Sequence, residues 1–379
     1  MRVMVLGVRG IPAVQGGIET HAEQLYQRLA SLGIDIEVVV RTPFVPSTVS
    51  RVGAIRLRRI WSPTARGFET LVHSLLGVLY AGVTRPDVLH IHAVGPAIVT
   101  PLARLLGLRV VVTNHGPDYD RDKWGPFAKW VLRAGESMGM RFSHARIAIS
   151  RVIQELVRSK YGLASDLIPN GSVPVSLQAD TQEIERFGLE HGRYFLQVSR
   201  IVPEKRQLDL INAFSLARPA GWKLVLVGGA GADDYSQEVA RAARNAGVIM
   251  AGFQRGITLA QLYTHAGAFV LPSSHEGLPI AILEALSYGL SVVASEIPAN
   301  REMNLGTASY FPVGDVPALA ARLTEVAQTP QNEAAREARR HWVAETYDWE
   351  RIARQTHTVY RRVLGLQSQA PLEHEGHKA

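Results

Sequence analysis

The sequence predicts an α/β protein made of two Rossmann-like, doubly wound lobes that face each other across a cleft. Short apolar, β-branched segments recur between stretches with helical periodicity, as the buried strands of parallel sheets do. The same alternation is present in both halves of the 379 residues. A chain of this length also exceeds the size at which a single hydrophobic core stops growing, about 250–300 residues.

The first predicted lobe covers residues 1–171. Between its first two strands, apolar residues repeat at helical spacing from Ile18 to Leu32, and Gly33 supplies a stop. Strand, glycine-rich turn, helix and strand make a βαβ unit, from which doubly wound sheets are built. The expected strands of this lobe are Val3–Val8, Ile36–Val40, Ile55–Ile60, Val88–Ile91, Val110–Thr113 and Ala145–Ile149.

The second predicted lobe covers residues 172–348 and repeats this scheme. Pro169 and Asn170-Gly171 interrupt regular structure, so the join between the lobes is expected there. A last helix is expected at about residues 349–366 and a polar tail at residues 367–379. The expected strands are Tyr194–Val198, Lys223–Val227, Val248–Ala251, Ala268–Leu271, Ser291–Ala294 and Ser309–Phe311.

Composition limits the function classes. The chain has no cysteine, which excludes disulfides, zinc–thiolate sites and thiol catalysis. Residues 1–172 carry 21 Lys and Arg against 12 Asp and Glu, so the basic charge lies in the first half. An anionic membrane or a phosphorylated acceptor suits that charge, as does a generally basic protein without such a partner. No nucleic-acid-binding signature accompanies the charge, so nucleic acid is not expected.

The strongest motif places Glu276 before Gly277-Leu278-Pro279 and Glu284 further along. Pro279 is predicted to be the first residue of a helix. The N–H groups of Gly277 and Leu278 would then lie at the helix mouth, where the helix dipole favours a diphosphate or sugar oxygens. Two separated carboxylates can hold two polyols, such as a hexose and a ribose. A solvated helix face would explain one glutamate, but it explains this helix entry poorly.

A second motif, Ser199 to Lys205, follows the predicted strand Tyr194–Val198. Open α/β sheets bind ligands at the carboxyl ends of their strands. Arg200 offers a planar fork and Lys205 a point charge, which together could neutralise a departing diphosphate. The alternative is a structural ion pair that involves Glu204.

The first strand leads into a turn that contains Gly16 and Gly17. Backbone N–H groups of such a turn can cradle an anion. The turn lacks the Gly-x-Gly-x-x-Gly spacing, and no acidic residue follows the second strand, so a dinucleotide is not expected. A tight turn without a ligand is the alternative.

These motifs together resemble a known family. Glu276 and Glu284 with seven residues between them, and Ser-Arg-x-x-x-Glu-Lys at residues 199–205, resemble the retaining family 4 glycosyltransferases of the GT-B fold. The resemblance covers nearly the whole chain, and it implies that the terminal helix at about residues 349–366 packs back on the first lobe. The opening segment from Arg9 to Thr20 is similar to a bacterial subgroup that contains polysaccharide rhamnosyltransferases.

The resemblance implies roles for individual residues. Arg200 and Lys205 would hold the nucleotide diphosphate, Glu276 the donor sugar and Glu284 the ribose. His115, after the strand Val110–Thr113, would approach the transferred sugar and the acceptor. Without the resemblance, a lone histidine is more often structural. The remaining implied contacts with the substrate come from Gly16, Gly17, Gly252, Phe253, Gly277, Leu278 and Pro279.

The implied reaction moves a hexose or deoxyhexose from a nucleotide-diphosphate sugar to a saccharide or lipid-linked saccharide, in cell-surface polysaccharide synthesis. Neither a metal nor another cofactor is expected. Asp118, Asp120 and Asp122 could attract a hard cation, but Arg121 and Lys123 interleave with them and favour a solvated loop. The alternative function is a nucleotide-sugar 2-epimerase of the same fold.

One segment suggests contact with a membrane. Aromatic and basic residues alternate in a predicted helix that could rest on an anionic cytoplasmic leaflet. We therefore expect a cytoplasmic protein that is peripheral on the inner face of the membrane. A core-facing helix with a solvated rim is the alternative for these residues, which are Trp124, Phe127, Lys129, Trp130, Val131, Arg133 and Arg141.

Overall fold

The computed structural model describes residues 1–12, 14–63, 68–121, 124–172, 175–329 and 332–366. The polar tail expected at residues 367–379 lies outside the described residues. The same is true of Asp122 and Lys123 in the acidic segment.

The first half of the chain forms a sheet of eight strands. They are β1 (Arg2–Leu6), β2 (Asp35–Arg41), β3 (Arg51–Val52), β4 (Ile55–Ile60), β5 (Val88–His92), β6 (Val110–Asn114), β7 (Ala145–Ala148) and β8 (Asp166–Leu167). Their order across the sheet is β3-β4-β2-β1-β5-β6-β7-β8. The pairing of β3 with β4 is antiparallel and the other pairings are parallel.

The second half forms a six-stranded parallel sheet. Its strands are β9 (Tyr194–Val198), β10 (Lys223–Val227), β11 (Ile249–Gly252), β12 (Ala268–Leu271), β13 (Val292–Ser295) and β14 (Tyr310–Phe311). Their order is β11-β10-β9-β12-β13-β14. In each sheet the strand order reverses beside the first strand, at β1 and at β9. A crevice that can bind a ligand forms at such a reversal.

Helices cover both sheets. Some have side-chain caps: Ser150 accepts a hydrogen bond from Ile153 N, and Asp348 accepts from Glu350 N and Arg351 N. In the described parts of the chain the α-helices are α1 (Gly17–Ser31), α2 (Phe68–Thr84), α3 (Thr100–Leu105), α4 (Pro126–Phe142), α5 (Arg151–Tyr161), α6 (Gln182–Glu185), α7 (Gln207–Ala217), α8 (Asp234–Ala246), α9 (Gly256–Thr264), α10 (Ile280–Ser287), α11 (Pro298–Arg301), α12 (Val316–Gln328), α13 (Glu333–Thr346) and α14 (Trp349–Val363).

Helix α14 packs on the first sheet although it follows the second one in the chain. Trp349, Ile352 and Tyr360 are buried in the same core as residues of α1, β1 and β2. The indole of Trp349 lies so near Gly171 that a Cβ added there would be 2.5 Å from it. A side chain at position 171 would therefore displace the tryptophan. None of the helices in the described residues has the length and hydropathy needed to cross a bilayer.

Several contacts join the two halves. The Glu302 carboxylate accepts hydrogen bonds from Arg151 N (2.6 Å) and Val152 N (3.3 Å), at the start of α5. A carboxylate is favourable there because the helix dipole is positive at its N-terminus. Asn170 Nδ2 donates to the carbonyl oxygen of Leu278 at 2.9 Å. These contacts bring the start of α10 against the first sheet.

The predicted fold class is confirmed, with local corrections. Pro279 is not the first helical residue: α10 begins at Ile280, and Pro279 is an extended N-cap with φ −75° and ψ 101°. Proline fixes φ only, so its ψ can direct the preceding chain away from the helix axis. The first strand ends at Leu6, not Val8, because Gly7 turns to φ +105°. The two-residue strands β3 and β8 are too short to show a periodicity.

Candidate active site

A cavity of about 830 Å³ lies between the two halves, at the carboxyl ends of both sheets. Gly252 is not among its lining residues; its carbonyl oxygen accepts a hydrogen bond from Gly228 N at 2.8 Å. Eleven of the twelve predicted site residues do line the cavity: Gly16, Gly17, His115, Arg200, Lys205, Phe253, Glu276, Gly277, Leu278, Pro279 and Glu284.

The start of α10 forms one wall of this cavity. The first N–H groups of an α-helix have no partner within the helix, and no side chain caps those of α10. Gly277 approaches the other half closely, because a Cβ at this position would lie 2.1 Å from the carbonyl oxygen of His115. The positive end of the helix dipole therefore points at a gap that both halves enclose.

Two cations on the turn after β9 face this wall. Lys205 forms an ion pair with Glu276. The Arg200 guanidinium lines the cavity, and within the described residues no group accepts a hydrogen bond from it. Burial lowers the pKa of Arg200, and the nearby charges of Arg9 and Arg121 lower it further. Such a clustered, partly buried cation is suited to an anionic ligand.

Glu204, on the same turn, has a different role. Its carboxylate accepts from Arg121 of the first half at 3.3 Å, and Arg121 also pairs with Asp118 at 2.8 Å. The alternative of a structural ion pair therefore holds for Glu204, across the cleft. Asp118 is used in this pair, and Asp120 is exposed.

Glu284 lies on α10, inside the cavity wall. Tyr263 donates its hydroxyl proton to Glu284 Oε2 at 2.9 Å. Burial raises the pKa of Glu284, and this hydrogen bond opposes the change. Phe253, which also lines the cavity, leaves 47% of its surface exposed. A carboxylate and an aromatic face are thus present on the side of the cavity formed by the second half.

The turn of the first half closes the opposite side. Arg9 Nε donates to Glu19 Oε1 at 2.9 Å, and this pair leaves no room beside Gly16, where a Cβ would lie 2.1 Å from Glu19 Oε2. Gln15 Oε1 accepts from Gly229 N of the second half at 3.3 Å. The glycine-rich turn therefore contacts the second half directly through one side chain.

Comparison with known proteins places these features in a family. The model for "Glycosyltransferase Family 4" matches residues 15–172, and the model for "Glycosyl transferases group 1" matches residues 180–349. The chain belongs to the family 4 glycosyltransferases. The two matches together take in nearly all the residues that line the cavity.

Individual relatives agree with this. The O-antigen chain mannosyltransferase B of Escherichia coli is 28% identical over 54% of each chain. The GDP-mannose:cellobiosyl-diphosphopolyprenol alpha-mannosyltransferase of Komagataeibacter xylinus is 30% identical over 46% of each chain. Both matches span only about half of each relative. Sucrose-phosphate synthase from Thermosynechococcus elongatus has the same fold, with a TM-score of 0.80, 21% identity and coverage of 97% of this chain and 100% of that one.

In this glycosyltransferase, His115 follows β6 and its ring is enclosed by other histidines. His92 Nδ1 lies 2.9 Å from His115 Nε2, and the His21 ring is 5.0 Å away, edge to face. Burial, together with the neighbouring His21 and His90, lowers the pKa of His115 well below its usual range. His115 is therefore neutral at pH 7.

Sequence reasoning missed several residues of the glycosyltransferase site. Arg9, Glu19 and Arg121 supply charges, and nothing in their spacing indicates that the fold brings them to one cavity. His90 and His92 gave a usable signal, because residues two apart on a strand share a face. In the described residues, His21, His92 and His115 form a group in which one ring nitrogen of each, of the type that can bind a metal ion, lies within 4.8 Å of the others.

Proposed function

We propose that this glycosyltransferase moves a hexosyl or deoxyhexosyl group from a nucleoside diphosphate sugar to a lipid-linked saccharide, with retention at the anomeric carbon. The observation that carries the proposal is that Arg200 and the uncapped start of α10 line the same cavity. A cation and a set of N–H donors that face one gap suit a diphosphate.

The donor is held mainly by the second half. Arg200 and Lys205 contact the diphosphate, and Lys205 leaves its pairing with Glu276 to do so. Glu276 is then available for the hydroxyl groups of the donor sugar. Glu284 binds the ribose, and Phe253 lies beside the base. In this assignment Lys205, Glu276 and Glu284, which are paired with other side chains of the protein, each exchange that partner for an oxygen of the donor.

Backbone groups complete the donor site. Gly277, Leu278 and Pro279 line the phosphate and sugar end, where the N–H groups at the start of α10 can donate. Gly16 and Gly17 approach from the other half. Because Gly16 has no Cβ, the carboxylate of Glu19 can lie beside it. Gly252 would act only through the turn that presents Phe253.

As the bond from the sugar to phosphate breaks, negative charge grows on the leaving diphosphate. Arg200, Lys205 and the α10 N–H groups stabilise that charge without reorganising. The leaving phosphate oxygen takes the proton of the acceptor hydroxyl, so a separate side-chain base is not required. His115 is neutral and contacts a sugar oxygen, not the phosphate. The close approach of the two halves excludes water and so limits hydrolysis of the donor.

The acceptor site lies at the end of the cavity formed by the first half. Part of this end is apolar, where it is lined by Phe68, Trp124, Phe127, Val131 and Leu132. Phe68 and Phe127 are also 61% and 70% exposed, so the apolar part opens on the protein surface. A lipid chain would suit this opening, and one relative is named for a polyprenyl-linked acceptor.

The same face offers a membrane contact. Helices α2, α3 and α4 pack side by side, and Lys129, Arg133 and Arg141 lie on α4. Aromatic side chains with basic neighbours bind the interface of anionic bilayers. We therefore assign this face to the cytoplasmic leaflet, through the exposed residues Leu75, Leu79, Val83, Leu105, Phe127 and Trp130.

The lobe limits follow from this assignment. Residues 1–171, with α14 packed back on them, form the acceptor lobe, and residues 172–348 form the donor lobe. Limited proteolysis that releases fragments cut near residue 172 would support these limits.

The experiment that tests the function starts from the donor. Thermal denaturation with UDP-, GDP-, ADP- and dTDP-sugars should show one nucleotide that stabilises the protein. Incubation of that donor with a polyprenyl diphosphate saccharide should give a product whose anomeric proton signal has the donor's configuration. An inverted product would contradict retention. Isomerisation of the donor without an acceptor would instead indicate a 2-epimerase.

A further inference from the structure

A chain of buried hydrogen bonds extends from His115 into the core of the first half. His92 Nδ1 lies 2.9 Å from His115 Nε2, and His92 Nε2 lies 2.5 Å from the hydroxyl of Tyr26. The same hydroxyl lies 2.8 Å from His90 Nδ1. Tyr26, His90 and His92 are fully buried. The chain therefore connects a residue of the cavity with groups that solvent does not reach.

The far end of the chain lies on two other elements. The hydroxyl of Tyr360, on α14, is 2.7 Å from His90 Nδ1, and it also interacts with the Tyr26 hydroxyl. Thr113 Oγ1, on β6, is 2.7 Å from His90 Nε2. Helix α1, strands β5 and β6, and helix α14 thus each contribute a member.

A count of donors and acceptors decides which partner donates in each of these hydrogen bonds. A neutral imidazole donates from one nitrogen and accepts at the other. In one order, Thr113 donates to His90 Nε2, and His90 Nδ1 donates to the two tyrosine oxygens near it. Tyr26 then donates to His92 Nε2, and His92 Nδ1 donates to His115 Nε2. Every proton in this order has an acceptor.

The reverse order of donation leaves one buried hydroxyl proton without an acceptor. His115 would donate to His92, His92 to Tyr26 and Tyr26 to His90, which would donate to Thr113. The Thr113 proton would then have no acceptor in the described residues, whereas the Tyr360 hydroxyl could still donate to Tyr26. An unsatisfied buried polar group destabilises the arrangement that contains it. The first order is therefore preferred.

We propose that Tyr26 and His92 are positioning residues that fix His115 as the tautomer protonated on Nδ1. Its Nε2 accepts from His92, so Nδ1–H is the group left for the cavity. His115 then presents one fixed donor to an oxygen of the transferred sugar or of the acceptor. The contact with the sugar rests on the proposed function, whereas the tautomer does not.

A fixed donor has a chemical consequence. Sugar hydroxyl groups can donate or accept, so a neutral histidine of undefined tautomer would bind them in two orientations. A chain with every member satisfied holds one orientation before the substrate arrives, which avoids reorganisation during the reaction. Because Tyr360 belongs to α14, a displacement of that helix would also disturb the hydrogen bonds that hold His115.

The tautomer can be measured without any activity assay. Long-range ¹H–¹⁵N NMR of the full chain labelled at histidine should show His115 protonated on Nδ1, with its signals identified by their loss in His115→Asn. In Tyr26→Phe, His92 loses its donor and the His115 signals should move towards protonation on Nε2. Nε2 protonation in the wild type, or unchanged signals in Tyr26→Phe, would overturn the proposal.

A kinetic cycle tests whether the chain acts through His115. Tyr26→Phe should lower kcat about 3- to 10-fold, the effect of one hydrogen bond. In a His115→Leu background, which has no side-chain donor at this position, the same change should add nothing. The matched control is Tyr194→Phe, which removes a buried hydroxyl bonded to Leu262 in the other half and should leave kcat unchanged. Equal losses from Tyr26→Phe in both backgrounds would show that it acts independently of His115.

The two failures can be told apart. Normal turnover by His115→Leu itself would remove the contact with the sugar that the proposed function gives to His115, and the NMR result would still decide the tautomer. A further pair checks the role of His92, since the amide of His92→Asn can donate in place of Nδ1 but His92→Leu cannot. Retained kcat in the asparagine variant alone supports positioning, and equal loss in both contradicts it.

Discussion

Arg200 and Lys205 lie on the same turn after β9, but their surroundings differ. Lys205 is paired with Glu276, so a ligand must compete with that carboxylate for it. Arg200 lies near the cations Arg9 and Arg121, and burial makes the repulsion among these positive charges more costly. An anion that binds here gains more from Arg200, because it relieves the repulsion among three guanidinium groups.

We therefore predict that Arg200→Ala lowers kcat by about 10²–10³-fold, the loss typical for one donor to a developing oxyanion. Its circular dichroism and melting temperature should stay close to those of the wild type. Steady-state kinetics with the donor identified by thermal shift is the measurement. Arg244→Ala, on the exposed side of α8, is the matched control and should keep full turnover. Near-normal kcat in Arg200→Ala would refute the role of this residue.

A second prediction at this scale concerns pH. Burial lowers the pKa of His21 to about 4 and that of His90 to about 3. Below pH 6.5 the unfolded chain binds protons at these residues while the folded protein does not, so the free energy of unfolding falls as the pH drops. Each residue should contribute a loss of about 1.4 kcal/mol per pH unit between pH 6.5 and its folded pKa.

Urea unfolding at pH 7.5 and pH 5.0 measures this loss. His90→Leu should reduce the pH dependence by about one proton, whatever its effect on stability at pH 7.5. A wild-type slope in His90→Leu would mean that another group causes the acid sensitivity.

At the scale of elements, the proposed function gives separate roles to α10 and to the face formed by α2, α3 and α4. The uncapped start of α10 faces the cavity, whereas the exposed aromatic residues of α4 face outward. Phe127 and Trp130 are stacked, with ring centroids 6.2 Å apart. A stacked pair beside Lys129 presents apolar area and positive charge together, which is the combination that an anionic bilayer interface favours.

The prediction for this face is a lipid-dependent association. The wild type should float with liposomes that contain anionic lipid and less with neutral ones. Phe127→Ser combined with Trp130→Ser should weaken the binding about tenfold or more, since each buried aromatic residue contributes about 1.5–3 kcal/mol. Trp342→Ser, an exposed tryptophan on α13, is the control and should float like the wild type. Flotation of the double variant at the wild-type level would remove the membrane contact.

Elements were more predictable than the site. The strands Tyr194–Val198, Lys223–Val227 and Ala268–Leu271 have the predicted limits, because buried parallel strands are nearly continuous apolar runs. Ile55–Ile60 also has its predicted limits, although three arginines interrupt it and only Ile55 is fully buried. Helix α10 starts one residue later than predicted, since proline restricts φ but leaves ψ to the surrounding contacts. The predicted helix around Phe127 is present as α4, and its exposed aromatic residues depend on what packs beside it.

At the scale of the whole molecule, the two halves meet through backbone atoms. The carbonyl oxygen of His115 and the Cα of Gly277 approach so closely that only glycine fits. Gln15 and Arg121 add side-chain contacts across the same gap. Closure of the cavity therefore depends on the shape of the main chain at one position more than on any single ion pair.

Gly277→Ala tests this dependence. Its Cβ would lie 2.1 Å from a carbonyl oxygen that cannot move aside easily, so the halves should separate. Small-angle scattering should show a larger radius of gyration, and kcat/KM should fall more than about tenfold because the cavity no longer excludes water. Gly125→Ala has open space for its Cβ and should change neither quantity. An unchanged radius of gyration in Gly277→Ala would contradict this account of closure.

The sequence alone determined the two sheets, most of their strands, the presence of the last helix and the motifs around Arg200 and Glu276. Each of these depends on neighbours within about one helical turn or one strand, so the pattern can be recognised from the sequence of that segment. Only the tertiary structure decided that Arg121 pairs with Glu204, that Gly277 meets His115, and that Tyr26, His90, His92 and Tyr360 form one chain of hydrogen bonds. These partners are up to 270 positions apart, and their contacts exist only because both sheets and α14 pack in one arrangement.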